Sequence, residues 1–508
     1  SGTDPGFSTL SSSSTVEYGA SVSQEIATAT YSNLTTSGGG TKSLAGNVTV
    51  SGTLTLNATL SIGGLNTLTF SNAIAGTITN LTTTSTSNIV INGSSACTLP
   101  GGLSMGSLTL NNSGGLTING NLTLGSTLTL TSGALNIGAN TLTVKNISGT
   151  TTNLNATSSS SISFQGTTSN FTIPSNISAL TNLTVNPSVG VSIVLSSSLT
   201  VSGNLTLTRG SLNNTTFLTM GNGSKITRGS GSTNGTIGAI PLAAGSYDVE
   251  YQGTGSFTTA NEIPSSSSAL RDFIINRGNS TATITLGKDF TANRDFKITS
   301  GVLALNSKTV TINGDFVNNS GSTTSISTAT SGTFAFSGGG NDITINAECS
   351  FSNITINSTG ALTAPSSTNF NIRGNFVNNG TFTNNSGTVK FDGATTATLS
   401  GTSQSNFNNI NIVSGKTLNG VSSGTFGVAG SFVNNGTFNG NSGTISFNGT
   451  SSISGSGTNN FNHITIATSS SLTGPSNLSL AGDLTVDGTF TQGTNTVTFN
   501  GTGTQNIS

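Results

Sequence analysis

Residues 374–382 read Gly374-Asn375-Phe376-Val377-Asn378-Asn379-Gly380-Thr381-Phe382, and this stretch decides the fold. It recurs at 430–438 as Gly-Ser-Phe-Val-Asn-Asn-Gly-Thr-Phe, and an earlier copy starts at 314 as Gly-Asp-Phe-Val-Asn-Asn. Self-similarity at a recurring spacing indicates a repeat architecture, in which each unit packs mainly against its neighbours. The fold of the whole chain is therefore expected to follow from one repeating unit.

A second motif marks the end of each unit. It is a bulky apolar residue followed three positions later by Leu, Ile or Phe, and the interval between copies shortens toward the C-terminus. About seven degenerate repeats thus account for nearly the whole chain of 508 residues. The copies begin at Tyr31, Met105, Leu180, Leu270, Phe351, Phe407 and Phe461.

Short apolar-polar-apolar triplets fill these units. Leu54-Thr-Leu56 and Leu60-Ser-Ile62 start six residues apart, and no segment shows an apolar period near 3.6. Apolar residues at a period of two are typical of half-buried strands. The sequence predicts an all-β, right-handed parallel β-solenoid with three short strands and about 20 residues per turn, forming a rod roughly 100 to 120 Å long at about 4.8 Å per turn. A string of small β-sandwich domains, each of about 55 to 90 residues, is the alternative that the unit lengths allow.

Repeated phenylalanines and asparagines are expected to form the core of the C-terminal units. We predict that Phe side chains stack as ladders along the axis, and that Asn378 and Asn379 align with Asn434 and Asn435, because like residues stacked at the inter-strand spacing bury area and satisfy one another. The phenylalanines concerned are Phe376, Phe391, Phe407, Phe432, Phe447 and Phe461.

Changes of texture divide the chain into four segments. Residues 1–13 lack periodicity and are expected to be a flexible N-terminal arm, while 14–208 form the longer solenoid repeats. Residues 209–298 carry 14 of the 29 charges and predict a solenoid segment with an inserted hairpin or widened turn, or simply a charged solvated face. Residues 299–508 form the compact repeats rich in Phe and Asn.

Composition limits the partners and the location. Only 6% of the residues are charged, against roughly 25% in an average protein. The formal net charge of −1 gives no electrostatic footprint for nucleic acid, and no apolar run approaches the roughly 20 residues of a membrane span. Because the sequence starts with Ser1, we expect an exported mature chain, extracellular or on the cell surface. Cys97 and Cys349 should lie about a dozen turns apart and remain free, mostly buried thiols.

Catalytic and metal chemistry has few candidate residues. His463 is the only histidine, and it occupies the place of Asn353 and Asn409 in sister repeats, which makes it a turn residue. We therefore expect no His-based metal cluster, no nucleophile–base pair and no cofactor.

Carboxylate clusters, which polysaccharide-cleaving β-helices need, are approached at only two places. One is Asp248 with Glu250 on one strand face, and the other is the group Asp289, Arg294, Asp295 and Lys297. The redundancy of the repeats favours a non-enzymatic protein, because catalysis needs one unique site. Threonines such as Thr127, Thr129 and Thr131 also suggest an ice-binding array, which the uneven six- to eight-residue steps would disrupt.

Three stretches carry a resemblance to a known class of proteins. Tyr31-Ser-Asn-Leu-Thr with 38–42, Tyr247-Asp-Val-Glu-Tyr-Gln-Gly with 261–264, and 442–449 are similar to the repeats of large secreted, adhesin-like surface proteins of Bacteroidota and related bacteria. The resemblance covers most of the chain. It implies a β-helical protein that is exported and then displayed or shed.

The two ends of the chain start and stop at the same phase of the repeat. Thr15-Val-Glu-Tyr followed by Gln24-Glu-Ile has the spacing of Thr496-Val-Thr-Phe followed by Gln505-Asn-Ile, and neither end shows a cap. Complementary end surfaces form a heterologous contact that propagates into a filament, and the N-terminal arm could add a strand to the joint. We expect head-to-tail self-association; the alternatives are a monomeric surface adhesin or a fragment of a larger one, with extracellular polysaccharide as a further partner. The candidate interface residues are Val16, Tyr18, Ile26, Val497, Phe499 and Ile507.

Overall fold

The computed structural model of the chain describes residues 11, 13–231, 233–393, 396–492 and 496–508. Most of the arm predicted over 1–13 lies outside these residues. The described chain is all-β, with about 2% helix, and its parallel strands stack into a β-solenoid of about 24 turns. The prediction of an all-β, parallel β-solenoid is confirmed, while its right-handedness and the number of repeats stay predictions. The β-sandwich alternative is wrong, because the strand pairs that the structure describes are parallel, whereas sandwiches are built from antiparallel ones.

The chain divides into two compact units, residues 1–247 and 248–508. The strands of the first unit are short and closely spaced. They are β1 (Thr15–Tyr18), β2 (Gln24–Ile26), β3 (Thr30–Tyr31), β4 (Asn33–Thr36), β5 (Lys42–Leu44), β6 (Val48–Val50), β7 (Leu54–Leu56), β8 (Leu60–Ile62), β9 (Thr67–Phe70), β10 (Ile74–Gly76), β11 (Leu81–Thr83), β12 (Asn88–Gly93), β13 (Cys97–Pro100), β14 (Leu103–Met105), β15 (Ser107–Asn112), β16 (Leu116–Asn119), β17 (Leu122–Ser132), β18 (Leu135–Asn136), β19 (Thr141–Gly149), β20 (Leu154–Asn155), β21 (Ser161–Gln165), β22 (Phe171–Ile173), β23 (Ala179–Leu180), β24 (Asn182–Asn186), β25 (Ser192–Leu195), β26 (Leu199–Val201), β27 (Asn204–Leu207), β28 (Ser211–Asn213), β29 (Leu218–Met220), β30 (Lys225–Arg228), β31 (Thr236–Ile237) and β32 (Leu242–Ala243). Three-residue 3-10 helices lie at Ile78–Asn80, Thr151–Asn153 and Thr215–Phe217.

Strand β33 (Tyr247–Tyr251) runs into the second unit. The strands of that unit are β34 (Phe257–Thr258), β35 (Leu270–Asn276), β36 (Thr283–Thr285), β37 (Phe290–Ala292), β38 (Phe296–Ser300), β39 (Val302–Ala304), β40 (Thr309–Ile312), β41 (Phe316–Asn318), β42 (Thr333–Phe336), β43 (Asn341–Ile345), β44 (Ser350–Phe351), β45 (Asn353–Ile356), β46 (Ala361–Thr363), β47 (Phe370–Ile372), β48 (Phe376–Asn378), β49 (Thr381–Thr383), β50 (Thr388–Phe391), β51 (Ala397–Ser400), β52 (Asn406–Phe407), β53 (Asn409–Ile412), β54 (Thr417–Asn419), β55 (Thr425–Val428), β56 (Ser431–Asn434), β57 (Thr437–Asn439), β58 (Thr444–Phe447), β59 (Thr450–Ser454), β60 (Thr458–Asn460), β61 (His463–Ile466), β62 (Ser471–Thr473), β63 (Asn477–Leu480), β64 (Leu484–Val486), β65 (Thr489–Thr491) and β66 (Thr496–Phe499).

Most apolar-polar-apolar triplets bury their outer two residues and turn the middle one outward. In β7, Leu54 and Leu56 are fully buried while Thr55 is half-buried, as the period-two pattern predicts. Leu34 pairs with Leu54, and Leu54 pairs with Ile74, so two successive turns have the same length here. Some turns are longer, such as the one that leads from Phe257 to its partner Ile284.

The strands of the second unit fall on three faces, and from β42 onward every third strand belongs to the same face. Along each face, successive strands pair in parallel. Face 1 carries β37, β40, β42, β45, β48, β51, β54, β57 and β60, followed by β63 and β66. Face 2 carries β38, β41, β43, β46 and β49, followed by β52, β55, β58, β61 and β64. Face 3 carries β44, β47, β50, β53, β56, β59, β62 and β65.

The three copies of the Phe-Val-Asn-Asn stretch lie on three different faces. They form β41 on face 2, β48 on face 1 and β56 on face 3. The second and third copies are eight strands apart, which is two and two-thirds turns. The predicted Phe and Asn ladders between repeats are therefore wrong, because the sequence repeat is not a whole number of turns.

Clusters of three phenylalanines within each repeat replace the predicted ladders. The Phe376 ring lies 5.0 Å from Phe382 and 5.5 Å from Phe407 between centroids, and Phe382 lies 5.4 Å from Phe407. The next repeat forms the same cluster from Phe432, Phe438 and Phe461, at 5.1 to 5.8 Å.

The buried asparagines bond within their own repeat. Asn378 Oδ1 accepts the Gly380 N–H at 3.1 Å, and its Nδ2 donates to Gln404 O at 3.1 Å. Asn434 makes the corresponding bonds with Gly436 and Thr458. Both side chains are fully buried, so each Asn is a corner residue that satisfies the chain locally.

Candidate functional site

Five aspartates form a line across successive turns. Two of them lie in β33 and β35, and the other three lie at the starts of strands on face 2. In each step, a carboxylate oxygen accepts the backbone N–H of the next aspartate one turn on, at 2.9 to 3.1 Å. Such charge-assisted bonds are stronger than neutral ones. We call this line the aspartate ladder, and its members are Asp248, Asp272, Asp295, Asp315 and Asp342.

Basic side chains bind the first three members of the ladder. Arg271 Nε and Nη2 donate hydrogen bonds to the two carboxylate oxygens of Asp248 at 2.7 and 2.6 Å. Arg294 Nε and Nη2 donate to the Asp272 carboxylate in the same bidentate manner at 2.7 and 2.5 Å. Lys297 lies 3.2 Å from Asp272 and 2.9 Å from Asp295. These three aspartates therefore form an ionic strip with Arg271, Arg294 and Lys297 and are not free carboxylates.

The two predicted carboxylate groups are only partly assembled. Asp295 and Lys297 meet, but Arg294 pairs with Asp272, and Asp289 instead accepts the Thr309 N–H at 2.8 Å. Glu250 lies two residues beyond Asp248 on β33 and accepts amide bonds from Gln252 and Asn276 at 2.8 and 3.1 Å.

Sequence reasoning did not single out Asp272, the most buried member of the strip. Its side chain is only 3% exposed. The available signal was the Arg-Asp dipeptide, which occurs at 271–272 and again one turn later at 294–295.

The surroundings of Asp272 favour the ionised form of its carboxyl group. Burial alone would raise the pKa of Asp272, but hydrogen bonds from Arg294, the Asp295 N–H and Lys297 outweigh burial and hold this pKa below its usual range. The Asp248 carboxylate raises the pKa of Arg271. A general acid needs a pKa raised toward neutrality, so a carboxylate held ionised in this way suits structural pairing.

Arg294→Gln should destabilise the second unit by about 1–2 kcal/mol at pH 7, since it leaves Asp272 buried with only Lys297 as a cationic partner. A lowered carboxyl pKa contributes stability above the unfolded pKa of about 4, and this is lost as pH falls through the folded pKa. The destabilisation caused by Arg294→Gln, measured in urea melts, should therefore become smaller toward pH 3. Lys390→Gln, which breaks a half-exposed pair at 3.6 Å with Glu348, is the control and should cost less than about 0.5 kcal/mol. A loss of equal size at both pH values would contradict this account.

His463 is equivalent to the asparagines of its sister repeats, as its position predicts, but it begins a strand and the prediction of a turn residue is wrong. It opens β61 as Asn353 opens β45 and Asn409 opens β53. Its Nδ1 accepts the Asp483 N–H at 2.9 Å, while the two asparagine Oδ1 atoms accept the Asn375 and Ser431 N–H groups at 2.9 and 2.8 Å.

The two cysteines are free and buried, which confirms the prediction. Burial raises the pKa of Cys97, and it raises the pKa of Cys349 to about 11, so both thiols stay protonated at neutral pH.

The threonine run is irregular, as the uneven spacing of the strands predicts. β17 carries Thr127, Thr129 and Thr131, and its register shifts between Leu110 and Asn111 on the β15 side and between Leu124 and Thr127 on the β19 side.

The predicted interface residues lie in the first and last described turns. Ile26 is fully buried and belongs to the core of its own turn. Tyr18 turns inward, and its hydroxyl lies 3.0 Å from Tyr31 Oη and accepts the Ala27 N–H at 3.0 Å. Val16, Val497 and Phe499 are half-buried, while Ile507 is 68% exposed.

Two glutamines, which sequence reasoning used only to align the ends, give these turns the same local geometry. Gln24 Oε1 accepts the Ala20 N–H at 2.9 Å, and Gln505 Oε1 accepts the Gly501 N–H at 2.9 Å, four residues back in both cases. Gln505 Nε2 also donates to Leu480 O and Gly482 O of the preceding turn, at 2.9 Å each.

In the described part of the chain, no helix has the length and hydropathy required to cross a membrane. Among the same residues, no three His, Cys, Asp or Glu side chains are grouped so that they could hold a metal ion. A scan against protein-family models and searches of curated proteins and of solved structures each found no match.

Proposed function

We propose that this chain is a non-enzymatic structural protein of the cell exterior that associates end to end into a surface fibre, with extracellular polysaccharide as its other partner. The observation that carries the proposal is the matched geometry of the first and last described turns around Gln24 and Gln505. A turn of one copy laid on the last turn of another would continue the parallel ladder already present within the chain.

The register of such a joint follows from the existing pairs. Thr496–Phe499 pairs with Asn477–Leu480, so Thr15–Tyr18 of the next copy would pair with Thr496–Phe499. In this register, the Gln24 amide of the next copy lies over Phe499 O and Gly501 O, as the Gln505 amide lies over Leu480 O and Gly482 O. Lys42, which pairs with Gln24 one turn on, also donates to two carbonyls beneath it, Ala20 O and Val22 O, at 2.6 and 3.0 Å.

A structural role is also supported by what the charged groups do. The carboxylates nearest to a catalytic arrangement, Asp248 and Asp272, are bound by arginines in a strip that ties successive turns together. Equivalent outward strand positions recur on every turn, and scaffolds use many equivalent positions where enzymes use one. Turnover of a polysaccharide that is lost on Asp248→Asn or Asp295→Asn would contradict the non-enzymatic proposal.

The purified 508-residue chain should form fibres by electron microscopy and sediment as assemblies at high concentration. The double variant Val497→Lys/Phe499→Glu should remain a folded monomer, because its charges lie in the proposed joint. The control Ser446→Lys/Thr465→Glu places the same charges on neighbouring outward positions of face 2 and should assemble as the unmodified chain does. Assembly by the joint variant, or a monomeric unmodified chain, would contradict the end-to-end proposal.

A further inference from the structure

An open cleft of about 480 Å³ lies on the first unit, in the size range of roughly 300 to 1,000 Å³ that is typical of ligand sites. Its walls come from corners on three successive turns. They contribute Val189 and Val191, then Arg209 and Ser211, then Thr233, Asn234 and Thr236.

Unequal corner lengths create the cleft. The chain takes five residues between β24 and β25 but only three between β27 and β28. The short middle corner depends on Gly210, whose φ is +68°, and a Cβ there would meet Pro187 Cγ at 2.4 Å and Val191 O at 2.5 Å. The middle corner therefore lies below its neighbours, with Arg209 in it.

The Arg209 guanidinium has no hydrogen-bond acceptor in the described part of the chain, and its Nε is both buried and unpaired. Unpaired buried donors are rare in folded proteins and call for an explanation. The other five arginines have acceptors. Arg271 and Arg294 bind carboxylates, and Arg228, Arg277 and Arg373 bind backbone carbonyls.

The hydroxyls in the cleft are arranged to accept hydrogen bonds. Thr233 donates its own hydroxyl proton to Thr208 O at 3.2 Å, and Thr236 donates to Gly210 O at 3.4 Å. Each hydroxyl oxygen keeps lone pairs for a ligand O–H. Val189 is 78% exposed and adds an apolar surface beside them.

We propose that this cleft binds an acidic sugar segment of a polysaccharide, with a uronate carboxylate on the Arg209 guanidinium. Ring hydroxyls bond to Ser211, Asn234 and the two threonines, and the C–H face of a ring packs on Val189. The sugar class rests on the proposed polysaccharide partner, whereas the carboxylate requirement rests on Arg209 itself.

An acidic peptide fits the cleft less well, because the main chain there is already bonded. The Ser211, Thr233 and Thr236 N–H groups donate to Val191 O, Ser230 O and Gly210 O at 3.2, 3.3 and 2.9 Å. A peptide recognised through its backbone needs free main-chain groups of this kind.

Calorimetric titration of the full chain with trigalacturonate tests the proposal. Arg209→Gln should weaken binding at least about tenfold, as loss of a charge-assisted pair implies, and neutral galactotriose should bind at least about tenfold more weakly than trigalacturonate. Val189→Glu, at an exposed position that leaves the core intact, should weaken trigalacturonate binding by repulsion. Arg373→Gln is the matched control, since Arg373 lines a separate cleft of about 310 Å³ but already donates to Thr328 O, and it should bind as the unmodified chain does.

Three results would overturn the proposal. They are unchanged affinity in both cleft variants, equal or tighter binding of triglutamate, and no binding of trigalacturonate up to about 10 mM. Fibre formation is scored on the same samples. A variant that loses the sugar but still assembles separates this site from the end-to-end joint.

Discussion

Deleting residues 376–431 is expected to leave a chain that folds with a melting temperature within about 5 °C of the intact protein, whereas deleting 376–403 should abolish cooperative folding of the second unit. The first deletion removes one complete repeat, which is eight strands. The second removes half a repeat and is the control for simple shortening.

The strand pairs across each junction explain the difference. In the intact chain, Ile354 pairs with Phe376, Leu362 pairs with Phe382, and Phe370 pairs with Val389. After the full-repeat deletion, the same three residues pair with the corresponding Phe432, Phe438 and Ile445. The core at the junction is therefore rebuilt from almost identical side chains. After the half-repeat deletion, Gln404 takes the buried place of Phe376, and the inward-facing pattern is lost.

Thermal melts followed by circular dichroism, together with protease resistance, distinguish the two variants. If the full-repeat deletion fails to fold, or if the half-repeat deletion folds equally well, the interpretation of the repeat as an interchangeable eight-strand unit is wrong.

Phe407→Ala should destabilise the surrounding turns by about 3–5 kcal/mol. Phe407 is fully buried, and its ring centroid lies 5.5, 5.4 and 6.4 Å from those of Phe376, Phe382 and Phe426. Its removal opens a cavity among these rings, and the neighbouring phenylalanines, each held by the backbone hydrogen bonds of its own strand, can close it only in part.

Hydrogen exchange of the amides in β48–β56 measures this loss locally, since repeat arrays can open turn by turn. The outward-facing Asn411→Ala, on the neighbouring strand β53, is the control and should change stability by less than about 0.5 kcal/mol. A loss of under about 1 kcal/mol for Phe407→Ala would show that the aromatic cluster is not a stabilising unit.

The solenoid could be predicted because its information is local. A triplet such as Leu54-Thr55-Leu56 specifies a strand and its inward side without reference to any distant residue. The equivalence of His463 with Asn353 and Asn409 was likewise visible, because it depends only on position within the repeat.

The stacking of strands could not be predicted from similarity. Which residues stack depends on the length of each turn, and the turn from Phe257 to Ile284 is longer than the turn from Leu34 to Leu54. Phe376 and Phe432 occupy nearly identical sequence contexts and nevertheless lie on different faces. Sequence similarity identifies the repeating unit, while the lengths of the corners determine which residues pair between successive turns.

The positions of the charges in 209–298 can be read from the sequence, but their pairing was not foreseen. Arg294 binds Asp272 of the preceding turn rather than its sequence neighbour Asp295, and only the register reveals this. The Arg209 cleft lies further beyond sequence reasoning. Corner lengths can be read from the sequence, but the absence of an acceptor for one guanidinium among the described residues is a property of the folded surroundings.

The parallel ladder between successive turns also determines how each unit carries mechanical load. Because inter-strand bonds point from one turn to the next, as between Leu34, Leu54 and Ile74, tension applied along the stacking direction pulls those bonds open one turn at a time. Each released turn of about 20 residues can extend to roughly 70 Å. The turn that is still folded presents a strand edge on which the extended chain can refold. The hydrogen-bond ladder that builds the core therefore also allows the chain to lengthen under load.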